Sequence, residues 1–244
     1  SGFWRAGTKT DPAVTTRRII AMNILDRPQE QTAMTVFAHP DDAELSCFGL
    51  LSKLRRQGWR IVLVVVTRGE NGSDGTDSNR VEEAIAAAGR IGAEIVFGDF
   101  RDGYVTCSAE LVGWIEQILD KYRPQMVISH FAGDTSTTHQ DHVAVAAAMR
   151  IAVRRARWHP TLLMAEGVDN DLTFQPNWFV DITDEHQTKM ESIRLHASQR
   201  MKYYMQPEHL ETRDRKWSLN FPDPPEDPQR KSYWEAFLLI QHTS

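Results

Sequence analysis

From Met34 onward the chain alternates short apolar runs with stretches whose apolar residues recur every three or four positions, the signature of βαβ units around a parallel sheet. Residues 35–38 read as a first strand, ended by His39-Pro40 because proline forces extended geometry on its predecessor. Leu45, Phe48, Leu51 and Leu54 mark a helix over about 42–57, with Gly58 as its stop. The aliphatic run 61–66 does not alternate, which suits a second strand buried on both faces, and it ends in the polar segment 67–72. Val81, Ala84, Ile85 and Ala88 predict the next helix, closed by Gly92, and 94–97 the third strand. Leu111, Trp114, Ile115, Ile118 and Tyr122 predict a helix stopped by Pro124, followed by a fourth strand at 125–130. A polar loop, 131–139, leads into an alanine-rich helix over about 141–156, and 162–165 reads as strand five.

Beyond it, 178–182 resembles a late strand followed by a helix near 184–198, whereas the Pro- and charge-rich 205–230 predicts a loop. The last apolar segment, 233–240, fits helix or strand equally well. Residues 1–30 have no sustained period and read as an N-terminal extension that wraps on the surface or frays, leaving 31–244 as a single domain. The fold class expected is α/β: helices layered on both faces of a mostly parallel central sheet, with a C-terminal extension of strand plus helix. In such sheets ligands bind beyond the carboxyl ends of the strands, so His39, Arg68, Asp102 and the 130–142 segment fall on one rim.

Composition removes several classes. The 244 residues carry 28 Lys+Arg against 33 Asp+Glu, a net charge of -5 with no basic block, so electrostatics gives no case for nucleic acid as partner. No apolar run approaches the roughly 20 residues of a membrane-spanning helix, and Cys47 and Cys107 are too few for a disulfide framework. A cytoplasmic protein with reduced thiols is the expectation, with homo-oligomer or monomer left open.

Two segments carry chemistry. His39-Pro40-Asp41-Asp42-Ala43-Glu44 places an imidazole beside two carboxylates at a strand-to-helix turn, and His139-Gln140-Asp141-His142 opens the alanine-rich helix. The bland alternatives are helix caps, Asp41 or Asp42 for the first helix and Thr137 or Thr138 for the later one. A catalytic zinc needs three N or O ligands and one open position. His39, Asp42 and His142 can supply them, leaving Asp41 beside the acidified water and His139, oriented and held charged by a neighbour such as Asp141, to stabilise the oxyanion or protonate the leaving nitrogen. His130 can orient a ligand or be a hydrogen-bonded structural histidine.

The ordered set 38–44, Thr67-Arg68-Gly69-Glu70 and His139-Gln140-Asp141-His142, with 179–183, Lys189 and 196–199 behind it, resembles the PIG-L/LmbE-like zinc-dependent N-acetylglucosaminyl deacetylases. The likeness runs over roughly 34–200, and faintly over 233–237. It implies a Rossmann-like fold, one Zn2+ on His39, Asp42 and His142 (another divalent transition metal being compatible with these ligands), Asp41 as general base and His139 with Asp141 as its partner. Arg68 falls where that family contacts the sugar or its substituent; apart from the resemblance, Asp102 in the rim loop is a weaker candidate for a substrate contact. The implied reaction is hydrolysis of the N-acetyl group of a small-molecule acetamido sugar to acetate and amine. Many members follow the first motif with a glycine-rich segment, whereas this chain has Ser46-Cys47-Phe48-Gly49-Leu50. Competing readings are an amidase for a bulkier acyl group or a thiol-sugar conjugate, a non-catalytic sugar- or nucleotide-binding module, and a two-metal phosphoesterase. Loops 131–138 and 205–230 are expected to set specificity.

Overall fold

The computed structural model describes residues 31–72, 77–133, 138–168, 172–221 and 231–241; the N-terminal extension expected at 1–30 lies outside them. Seven strands form one sheet in the order β3-β2-β1-β4-β5-β7-β6. They are β1 Thr32–Phe37, β2 Arg60–Val65, β3 Glu94–Phe97, β4 Met126–His130, β5 Thr161–Ala165, β6 Trp178–Asp181 and β7 Trp234–Gln241. The first five pair in parallel, and β7 runs antiparallel between β5 and β6. The helices are α1 Asp42–Arg56, α2 Asp77–Gly89, α3 Ala109–Tyr122, α4 Gln140–Arg155, α5 His186–Ile193 and α6 Pro207–Arg215.

Strand alternation splits the core between two layers. Met34, Val36, Val62, Val64 and Val127 pack under α3 and α4, while Ala33, Phe37, Ile61, Leu63 and Ile128 pack under α1 and the end of α2 at Ala88. The chain winds outward from β1 to β3 and then returns to the other side of β1 as β4. The crevice between the carboxyl ends of β1 and β4 is therefore the switch point where doubly wound sheets bind ligands.

Three sequence expectations change. The segment 205–230 contains α6 and a 3-10 turn at Lys216–Asn220. Pro207 sits in the first helical turn, where its missing N–H costs nothing, and Leu210 and Asp214 are buried. The ambiguous 233–240 is β7, whose inner position in the sheet supplies ladder partners on both sides. The helix expected near 184–198 ends at Ile193 and is followed by a 3-10 turn, Ala197–Gln199.

Helix α1 packs on the end of β6 at Gly49. A Cβ there would lie 2.7 Å from Ile182 Cβ, Cγ2 and Cδ1, and the branched carbons beside that backbone have little room to retreat. Gly49→Ala should therefore destabilise by about 1–3 kcal/mol through overpacking, more than the roughly 0.5–1 kcal/mol that alanine's helix propensity returns. The check is a lower Tm, and an unchanged or higher Tm would contradict the close approach.

Candidate metal centre

β1 delivers His39 to the rim and α1 begins three residues later. Asp41 is the N-cap residue of α1, yet its side chain makes no capping bond, and its φ of 143° is a strained value for a residue with a Cβ. Asp42 Oδ2 turns back to accept from the His39 backbone N–H at 2.7 Å. The capping explanation for these two acids thus does not describe what their carboxylates do. At α4 the cap is His139, not Thr138: His139 Nδ1 accepts from the Asp141 N–H at 3.2 Å.

His39 Nδ1 and His142 Nε2 lie 3.1 Å apart, His39 Nδ1 and Asp42 Oδ2 3.5 Å, and His142 Nε2 and Asp42 Oδ1 3.4 Å. Ligands about 2.0–2.1 Å from a tetrahedral zinc are separated by about 3.3 Å, so the two histidine nitrogens have the spacing of two corners of that polyhedron, with Asp42 turning a different oxygen to each. Asp41, Asp42, Asp102 and Asp141 are all buried, with the buried Arg80 guanidinium beside them. That charge balance suits a divalent cation, and the residues fit the metal that the motifs imply.

Behind the ligand atoms the rings are held in place. His39 Nε2 is 3.0 Å from Asp102 Oδ1 and 3.2 Å from Asp141 Oδ2, an arrangement that fixes the tautomer with Nδ1 facing the site. Burial opposes a second proton on His39, but Asp102, Asp141 and Asp42 outweigh it and hold its pKa well above the usual range. Those carboxylates favour positive charge here. Asp141 also accepts from Gly103 N and Val105 N at 2.7 and 3.1 Å. Its carboxylate is thereby committed to His39 and the 103–105 backbone, which corrects the expectation that it holds His139 charged. Burial, with the charges of His39 and His142, instead lowers the His139 pKa, outweighing Asp141.

His130 lies beside these donors, its Nε2 3.4 Å from Asp42 Oδ2, and with Asp42 and His142 it forms a further group able to hold a metal. Its Nε2 accepts from the Ala38 N–H at 2.9 Å, burial drives its pKa down to about 3, and its neutral ring stacks on His142 at 4.0 Å. It fixes the plane of His142. Asp41 has its carboxyl pushed up to about 6, chiefly by burial, with the Arg80 charge pulling the other way.

A cavity of about 330 Å³ opens over these groups, bounded by His39, Asp41, Asp42, His139 and His142 on its floor and by Arg80, Lys202 and Tyr204 among its walls. Asp102 belongs to its wall while being engaged by His39 and by the Asn71 N–H at 3.1 Å. Arg68 does not line it. Its guanidinium turns outward to Asp99, 2.9 Å away, with side-chain exposures of 44% and 87%, so the arginine of the site is Arg80. Its Nη1 donates to Gly69 O at 3.1 Å and its Nη2 to Pro40 O at 3.2 Å, with Asp41 Oδ2 at 3.4 Å. Sequence reasoning missed Arg80 because it stands one residue before an apolar helix face, where a solvated arginine is the ordinary occupant. Arg68→Ala should leave kcat/KM within about fivefold, the scale of an exposed pair. Arg80→Ala should cost more than about tenfold, since a buried charge partner is lost. Steady-state kinetics of the two variants compares them, and the reverse order would return the role to Arg68. Trp217, considered from sequence as a sugar-site aromatic, donates to Glu166 Oε2 at 3.2 Å and packs on Phe174 and Phe179.

Residues 34–153 match the family model described as PIG-L, GlcNAc-PI de-N-acetylase. The chain is 30% identical over 170 residues to the uncharacterized deacetylase YaiS of Escherichia coli K12, covering 68% of this chain and 90% of that one. It is 27% identical over 181 residues to a diacetylchitobiose deacetylase of Thermococcus kodakarensis, covering 66% and 67%. Among solved structures, the conserved protein TT1542 of Thermus thermophilus superposes with a TM-score of 0.73 at 26% identity, over 87% of this chain and 95% of that one.

Proposed function

The chain belongs to the PIG-L family, and from that premise we propose that it is a zinc-dependent deacetylase of an N-acetylglucosaminyl group in a small-molecule conjugate. The observation that supports the reading is the convergence of His39 Nδ1, His142 Nε2 and the Asp42 carboxylate, within 3.5 Å of one another, at a cavity that Asp41 also lines. His39, Asp42 and His142 would hold the ion. When bound, it supplies a water acid enough to be a nucleophile near neutral pH and a Lewis acid for the acyl oxygen. Asp41 is the general base: a buried carboxylate next in sequence to a ligand, free of capping duty, and steadied by Arg80. His139, placed edge-on to His39 at 4.8 Å between ring centroids, is a neutral ring whose Nδ1 accepts from the Asp141 N–H, so its Nε2–H donates a hydrogen bond to the acyl oxygen, and the proton that Asp41 takes from the water goes on to the departing nitrogen. Asp102 and Asp141 orient His39.

The substrate is an acetamido sugar that reaches the metal centre through this cavity. No helix among the described residues is long and apolar enough to cross a membrane, and a cytoplasmic location is the reading consistent with two unbridged cysteines, Cys47 and Cys107. Metal content and product release measured together test the proposal. Purified protein should carry one zinc per chain and release acetate and amine from a panel of N-acetylglucosaminyl compounds. Turnover should fall to background after chelation and return on zinc add-back. Full turnover by metal-free protein would sink it, and two metals per chain would favour a phosphoesterase.

A further inference from the structure

Helix α1 is two helical pieces. Cys47 has φ -149° and ψ 16°, so the ladder that starts at Asp42 stops after about one turn and resumes beyond it. A break in a helix leaves carbonyls of the first piece and N–H groups of the second without their usual partners. Here distant charged residues take them up. Arg213 Nη1, from α6, donates to Leu45 O at 2.9 Å and its Nη2 to Glu166 O at 2.6 Å. Glu235, from β7, accepts the Gly49 N–H on Oε1 at 2.9 Å and the Leu50 N–H on Oε2 at 2.7 Å. Lys189, from α5, lies 3.0 Å from Glu235 Oε1 and 2.8 Å from Asp214 Oδ1.

Lys189, Asp214 and Glu235 are 0%, 3% and 3% exposed, and none of them lines the cavity. Buried ion clusters of this kind add little stability over an apolar set of the same volume, and their best-attested use is to specify one geometry. The geometry at stake is plain from the chain. The short first piece of α1 carries Asp42 and follows directly on Asp41, so the angle of the break at Cys47 sets where both carboxylates sit relative to His39 and His142. A continuous α1 would swing that turn as a unit.

We propose that Glu235 and Arg213, with Lys189 as counter-charge, are positioning residues that hold α1 broken at Cys47 and so aim Asp41 and Asp42 at the metal centre. The inference rests on the metal-centre reading above. The two N–H groups that Glu235 accepts belong to Gly49 and Leu50, shortly past the break.

The test is Glu235→Gln, which puts an amide donor against one of the two N–H groups and removes one of Lys189's counter-charges. Leu54→Ala serves as control, since it destabilises the same helix beyond the break by deleting a buried side chain. For Glu235→Gln the zinc dissociation constant, read by chelator competition, should rise about 10–100-fold, the range for lost supports behind ligands. The kcat of zinc-saturated enzyme well below its Tm should fall over a similar range, with KM changed by less than about threefold. Leu54→Ala should lower Tm while leaving zinc affinity and kcat as in the parent. If Glu235→Gln only lowers Tm and keeps parental zinc affinity and kcat, the cluster is structural and the proposal fails. If that variant does not fold, Arg213→Gln removes the carbonyl-side support and is held to the same outcomes. Zinc affinity is read without turnover, so a parent protein inactive on every acetamido sugar would overturn the proposed function while leaving this proposal to be decided by binding.

Discussion

Asp41→Asn should reduce kcat by about 10²–10⁴-fold, the contribution of a positioned general base, while the protein keeps its zinc. The substitution preserves side-chain size and removes the ability to take a proton. It leaves His39, Asp42 and His142, whose donors are 3.1–3.5 Å from one another, untouched. Asp41 is 5% exposed and its charge is balanced by Arg80 at 3.4 Å, so no bulk water takes over its task at comparable geometry. The amide should fit the same place, because the Pro40 carbonyl and Gly69 carbonyl still hold the guanidinium. Zinc content by elemental analysis and kcat on the best substrate of the panel decide the matter together. Parental kcat in this variant would remove Asp41 from the mechanism, and loss of zinc would make it a ligand or a support for one.

The second large effect is expected of His142→Ala, which should lose both metal and activity. Two protein donors would remain where a catalytic zinc takes three. Asp42 Oδ1 would lose its 3.4 Å neighbour, and His130 would lose the ring it stacks on at 4.0 Å. The described His and acid groups nearby, including His39 with Asp102 and Asp141, offer other clusters within 4.8 Å. They do not replace His142, because Asp102 and Asp141 face His39 Nε2, the nitrogen turned away from the other ligands. After dialysis against trace zinc the variant should hold well under one equivalent and turn over at background. A variant that retains a full equivalent and measurable kcat would show that His139, whose ring lies 5.3 Å from that of His142, is the third ligand instead.

Much of this centre is readable without tertiary structure, and the reason is topological. A motif that directly follows a strand is carried to the rim by the strand itself. Parallel pairing of β1 with β4, through pairs such as Thr35 with Ile128 and Val36 with Ser129, brings His39 and His142 together although they are 103 residues apart. The period of the apolar residues located β1 to β6 and most helix starts for the same reason: each signal spans only the three or four residues that a turn or a strand pair occupies.

What the sequence by itself determined, then, is the α/β winding and the rim on which the histidines and acids meet, because strand ends and helix starts place whole motifs. Only the tertiary structure decided where side chains point within that rim. Arg68 and Arg80 both border the polar segment after β2, yet one faces Asp99 in solvent and the other is buried against Asp41. Asp141 is two residues from His139 but spends its carboxylate on His39 and on the Gly103 and Val105 N–H groups. The break in α1 has no local cause in its apolar spacing; it is held by Glu235, which lies 186 residues beyond Gly49 in the chain. Periodicity reports which face of an element is apolar, whereas a hydrogen bond or ion pair between remote segments exists only once packing has removed water and left each buried polar group one partner to find.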